Sequence, residues 1–222
     1  MDINKNIIGM NSSRKENTRD ASFDYCFNYF HRFYEDNKIQ EIAAEDNLEK
    51  SCLQLGFYLA SWGMYRGSSK ILNFSVKKYE NLITEISNNK NKVYWEIDVD
   101  NYKENSENLI NCYKLIKNSF GKEINPSDTL ITKIMLGIFG SVPAFDTYFK
   151  AGMKHVDITI GKFNKKALEK IYEFYLENQE HFKKFNIQTI DFITGKNIPI
   201  IYTKAKLIDM AAFQEGLNQK KK

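Results

Sequence analysis

Asp146 follows the run Gly140-Ser141-Val142-Pro143-Ala144-Phe145 and precedes Thr147-Tyr148-Phe149, so a turn containing glycine and proline delivers one carboxylate to the start of a helix. Free backbone N–H groups and the helix dipole favour its ionised form there, and Pro143, Phe145 and Tyr148 keep its surroundings partly dry. A fixed anion beside apolar walls suits stabilisation of a developing positive sugar, as in glycosidic cleavage. It equally suits a plain helix cap or a non-catalytic ligand contact, and all three roles stay open at this point. A second group is Trp62, Tyr65 and Arg66, where an indole platform and a guanidinium can line a pocket. The alternative is structural: Trp62 in the core, Arg66 as a cation in the last turn of a helix, Gly67 as its C-cap, and Ser68 or Ser69 capping the next segment.

Much familiar chemistry is missing. The chain has no Gly-x-x-x-x-Gly-Lys phosphate loop, no Gly-x-Gly-x-x-Gly opening a helix, no Gly-x-Ser-x-Gly elbow and no His-Glu-x-x-His. His31, His155 and His181 have no partners at metal-ligand spacing. Cys26, Cys52 and Cys112 lie far apart in apolar patterns and read as reduced core residues. Asp98 and Asp100 make half a metal site at most, and an exposed acidic loop accounts for them. Neither metal nor cofactor is expected.

The elements that must position these residues are mainly helical. Phe23, Phe27, Phe30 and Tyr34 mark one aromatic face, and Leu48, Cys52, Leu55, Leu59 and Trp62 a second apolar helix. Ile71, Leu72, Val76 and Tyr79 give a third, and Leu109, Cys112, Tyr113, Ile116 and Phe120 a fourth. The helix from Leu130 to Phe139 needs Ser127 or Asp128 as its N-cap, and Asn164 caps the one bearing Leu168, Ile171, Tyr172 and Tyr175. Lys204 to Leu217 reads as a closing amphipathic helix. Val93, Trp95 and Ile97 alternate as in a short strand or irregular loop, while Gln188 to Ile201 suits a hairpin about Thr194-Gly195-Lys196-Asn197. The expectation is a mainly α, single-domain, bundle-like fold with at most a small β-hairpin, in which the second helix and the Leu130–Phe139 helix are central neighbours. Residues 1–19 form a polar N-terminal segment, mobile or loosely docked; 20–217 form the domain; 218–222 form a basic tail.

The 222 residues, 42% of them hydrophobic, suffice for one sizeable core. No apolar run approaches the roughly 18 to 20 residues of a membrane span, and the polar beginning lacks the pattern of a secretory leader. A cytoplasmic protein without membrane contact is expected. The net charge of +4 owes much to Lys220, Lys221 and Lys222 and does not by itself indicate nucleic acid.

The passage Thr132-Lys133-Ile134-Met135-Leu136-Gly137-Ile138-Phe139-Gly140-Ser141-Val142-Pro143-Ala144-Phe145-Asp146-Thr147 resembles the closing segment of helix-hairpin-helix DNA glycosylases. There an apolar helix leads through a short turn to an aspartate that stabilises the cationic sugar once the base has been flipped out. The resemblance covers about 20 residues, and a single glycine, Gly121, stands where the family has a glycine-rich hairpin. It implies a catalytic role for Asp146, with Lys133 in the neighbourhood where some members carry a lysine. Trp62, Tyr65 and Arg66 become substrate-binding candidates, and DNA the partner. Blocks 53–69 and 130–149 also resemble an uncharacterised bacterial protein family, which implies no activity. The other class is a non-enzymatic helical interaction protein, an accessory or inhibitor in a phage-defence or mobile-element setting, with a protein partner.

Overall fold

The computed structural model describes residues 1–66 and 70–220. Gly67, Ser68, Ser69 and the last two lysines, and so the capping roles read there, lie outside them. The chain is mainly α: α1 (Ile3–Ser13), α2 (Ala21–Glu35), α3 (Glu45–Ser61), α4 (Glu80–Ile86), α5 (Tyr102–Ser119), α6 (Asp128–Phe139), α7 (Thr147–Lys154), α8 (Lys165–Phe182) and α9 (Lys204–Lys220). Among the described residues a single antiparallel hairpin, β1 (Gln188–Ile190) with β2 (Asn197–Ile201), precedes α9.

Helix α6 runs through the interior, with every side chain from Leu130 to Phe139 buried. Ser127 caps it by accepting the Leu130 N–H at 3.2 Å, and Gly140 ends it in the left-handed region at φ 65°. Helices α2 and α3 pack against α6 as neighbours. At Gly137 the approach is so close that an added Cβ would lie 2.4 Å from Cε1 of Tyr58 on α3. Gly56, in contrast, faces Val76 rather than α6, while Leu53 and Phe57 lie on the exposed side of α3. Asn164 caps α8 through the Ala167 N–H at 3.0 Å.

Four local expectations are corrected. Residues 1–19 do not stand apart: α1 buries Ile3, Ile7 and Met10, and Asn6 donates to the Ala211 carbonyl at 3.2 Å and to Glu215 Oε2 at 2.8 Å on α9. The alternating stretch around Val93 is not a strand but a 3-10 segment, Asn89–Glu96, because Tyr94 and Trp95 both turn inward, towards Phe139. Residues Ile71 to Tyr79 form two short 3-10 turns rather than one helix. Asp98 is not part of an exposed loop; it accepts the N–H groups of Val99, Lys204 and Ala205 and so ties the start of α9 to the middle of the chain.

The hairpin is where the sequence placed it, with Thr189 opposite Ile198, Ile190 opposite Asn197 and a bulge between Gln188 and Thr189. Its turn is pinned by Asp191, whose Oδ1 accepts from Ile193 N, Thr194 N and Thr194 Oγ1 and whose Oδ2 meets Arg32 at 2.6 Å. All three cysteines are buried and unpaired. No helix among the described residues is long and apolar enough to cross a membrane.

Candidate functional site

The turn that carries Asp146 is held by groups on three other elements. Thr132 on α6 accepts the Phe145 N–H at 2.8 Å while donating to the Asp128 carbonyl, and Thr129 donates to the Phe145 carbonyl at 2.9 Å. Tyr102 donates to the Ser141 carbonyl at 2.6 Å, and Asp209 on α9 accepts the Ala144 N–H at 3.0 Å. With its backbone fixed on both sides, Asp146 caps α7: Oδ1 accepts from Tyr148 N at 3.0 Å and Phe149 N at 2.9 Å.

The other oxygen, Oδ2, faces Lys133 Nζ at 2.9 Å. The pair is well shielded, the side chains being 6% and 13% exposed, so the ammonium and carboxylate attract across a medium much less polar than water. Lys133 Nζ also lies 5.3 Å from the centre of the Trp62 ring. A second buried pair adjoins the first. Lys206 Nζ is 3.3 Å from Asp209 Oδ2, 5.7 Å from the Trp62 ring and 4.4 Å from that of Phe23. Burial pushes the Asp209 carboxyl above its usual range, against the pull of Lys206 and Lys133; Asp146 adds to the rise. Burial likewise raises the Tyr58 hydroxyl well above its ordinary value, with the Asp209 charge next in weight.

Of the residues singled out from sequence, Trp62, Lys133 and Asp146 therefore meet. Tyr65 and Arg66 do not join them directly. The Tyr65 hydroxyl is engaged with that of Tyr79 at 2.6 Å. Both residues line a separate cavity of about 120 Å³ with Arg19, Ala60, Ser61 and Gly63. Arg19 connects the two places, since its guanidinium sits 5.0 Å from the centre of the Trp62 ring.

Sequence reasoning missed Lys206, Asp209, Tyr58 and Arg19. Lys206 and Asp209 lie three apart on a helix whose polar positions read as solvated, and only the burial of α9 on every side makes them part of the site. Chemically, the arrangement offers a fixed anion, a shielded ammonium within hydrogen-bond reach of it, and an indole against that ammonium. The described residues hold no cluster of three or more His, Cys, Asp or Glu able to bind a metal. No family model, curated protein or solved structure matches this chain.

Proposed function

We propose that this protein is a DNA glycosylase-like, nucleic-acid-binding protein that breaks an N-glycosidic bond at Asp146. The observation that supports the reading is the shielded Lys133–Asp146 pair, 2.9 Å apart at the start of α7. As the bond from base to C1′ breaks, the base leaves with the electron pair and takes a proton from the Lys133 ammonium. Asp146 stabilises the cationic sugar and then accepts the proton of the water that adds to C1′. Because the pair is nearly enclosed, a nucleotide reaches it only when neighbouring side chains move, and Trp62, at the end of α3, stands next to Lys133.

The test is base release from a panel of modified and unmodified oligonucleotides, duplex and single-stranded. Wild type is expected to release one base class, and Asp146→Asn and Lys133→Gln, assayed at a temperature where circular dichroism shows each still folded, to lose that activity while retaining binding. No release by wild type across the panel, or undiminished release by Asp146→Asn, rejects the reading.

The second reading, a helical interaction protein, draws on a different observation. Phe192 and Ile193 at the hairpin tip are 73% and 86% exposed, on a turn held rigid by Asp191 and Arg32. Failure of the base-release and nucleic-acid-binding assays together favours it.

A further inference from the structure

The cavity shared by Arg19 and Arg66 has an unusual charge balance. It is lined by Arg19, Ala60, Ser61, Gly63, Tyr65 and Arg66, two cationic residues and no acidic one. Among the described residues neither arginine has a carboxylate within ion-pair distance, whereas Arg14 and Arg32 are each paired with an aspartate. Both arginines are exposed, so an anion can enter the space of about 120 Å³ from solvent and meet two cationic side chains there. The fork of N–H donors on each guanidinium matches the oxygens of a phosphate.

Both side chains are also seated. Arg19 lies over the Trp62 ring at 5.0 Å. The Arg66 guanidinium folds over Gly63, where an added Cβ would fall 2.6 Å from Nε and Nη2; Gly63 itself has φ 76°, in the left-handed region. A glycine here thus gives the chain its turn and leaves room for the guanidinium.

We infer that the Arg19–Arg66 cavity is a phosphate-binding site that grips one backbone phosphate of a nucleic-acid strand. This rests on the function proposed above and supplies what the Lys133–Asp146 pair lacks: a cationic anchor at the surface, joined through Arg19 and Trp62 to the buried lysine. The two arginines act on one phosphate, so their contributions are not additive.

The experiment is salt-titrated binding of a fluorescent duplex DNA oligonucleotide to wild type, Arg19→Gln, Arg66→Gln, the double variant and Gly63→Ala, with circular dichroism confirming the fold of each. Each arginine variant is expected to bind about tenfold or more weakly at low salt, as for loss of a charge-assisted hydrogen bond. The slope of log K against log salt should fall by about 0.9, the value for one phosphate, and no further in the double variant. Gly63→Ala should reproduce Arg66→Gln with the arginine still present; if that variant is misfolded, Arg66→Lys, which keeps the charge and loses the fork, should retain the slope but weaken binding.

Unchanged slopes with intact binding overturn the site and leave the nucleic-acid reading standing. A double variant that loses two phosphates of slope overturns the shared grip. If wild type binds no oligonucleotide but broadens the ³¹P resonance of inorganic phosphate, and Arg66→Gln does not, the cavity is a phosphate site without a nucleic-acid strand. That result rejects the strand and the function together. Slope loss in the variants without any base release upholds the site and rejects the glycosylase reading alone.

Discussion

At the scale of single residues, Asp146 carries two loads on two oxygens. A pure cap tolerates asparagine, which still accepts the Tyr148 and Phe149 N–H groups at Oδ1. Here the substitution also strips the counter-charge from a nearly buried Lys133, and breaking a shielded ion pair from one side costs about 3–5 kcal/mol. Urea unfolding should therefore find Asp146→Asn clearly destabilised and Lys133→Met/Asp146→Asn partly restored; a neutral Asp146→Asn would mean that the pair contributes nothing to stability. Asp209 gives a pH signature. Its folded carboxyl is raised above 3.8, so between 3.8 and the raised value the folded protein holds more protons than the unfolded chain. Its contribution is lost as pH rises through the folded value and is complete below the unfolded one. Wild type should accordingly gain stability relative to Asp209→Asn as pH falls through the raised folded value towards 3.8, and parallel stability curves would contradict this. Local chemistry narrowed the α6 cap to Ser127 or Asp128 and found those at Asp146 and Asn164, because a cap depends on its neighbours in sequence. Lys206 and Asp209 depend on which helix lies across from them, which no short window of residues encodes.

At the scale of elements, α7 and α9 meet backbone to backbone. A Cβ at Gly152 would sit 1.9 Å from the Ala212 carbonyl oxygen, and one at Gly216 would sit 2.0 Å from that of Tyr148. Each helix thus spends a glycine, unfavourable in a helix interior, where the other passes closest. Gly152→Ala and Gly216→Ala should each destabilise by about 3 kcal/mol or more, the range of severe overpacking. Both should also shift α7 and with it the Lys133–Asp146 geometry. Gly9, in α1, has nothing within 4 Å of an added Cβ. Gly9→Ala should instead stabilise by about 0.4–1 kcal/mol. Thermal unfolding of the three variants separates the cases. The crossings at Gly152 and Gly216 were not legible in the sequence, since a glycine at a crossing differs from any other only in what faces it. For the same reason α9 looked amphipathic and is in fact enclosed.

At the scale of the whole molecule, a second buried hub secures the N-terminal third to the hairpin. Asp24 on α2 meets Arg14, the Tyr202 hydroxyl and the Ile190 N–H together, and burial raises its carboxyl despite Arg14. Asp24→Ala removes one member and leaves three buried donors without their acceptor, so it should cost at least about 3 kcal/mol and lower the urea midpoint more than any change at exposed Phe192. Phe192→Ser, by the same measurement, should stay within about 0.5 kcal/mol of wild type. The overall class and the hairpin followed from periodicity and turn chemistry, whereas the docking of α1 did not, because its short apolar stripe has meaning only beside α9.

The bond from Asn6 to Ala211 spans 205 residues. While the polypeptide is being translated, α1 and α7 are both made before the helix that covers them, and the ribosome must extend the chain past residue 216 before Gly152 and Gly216 can interlock. Until then the growing chain displays the apolar faces of α1 and α7 that α9 later hides, so this part of the fold waits on α9.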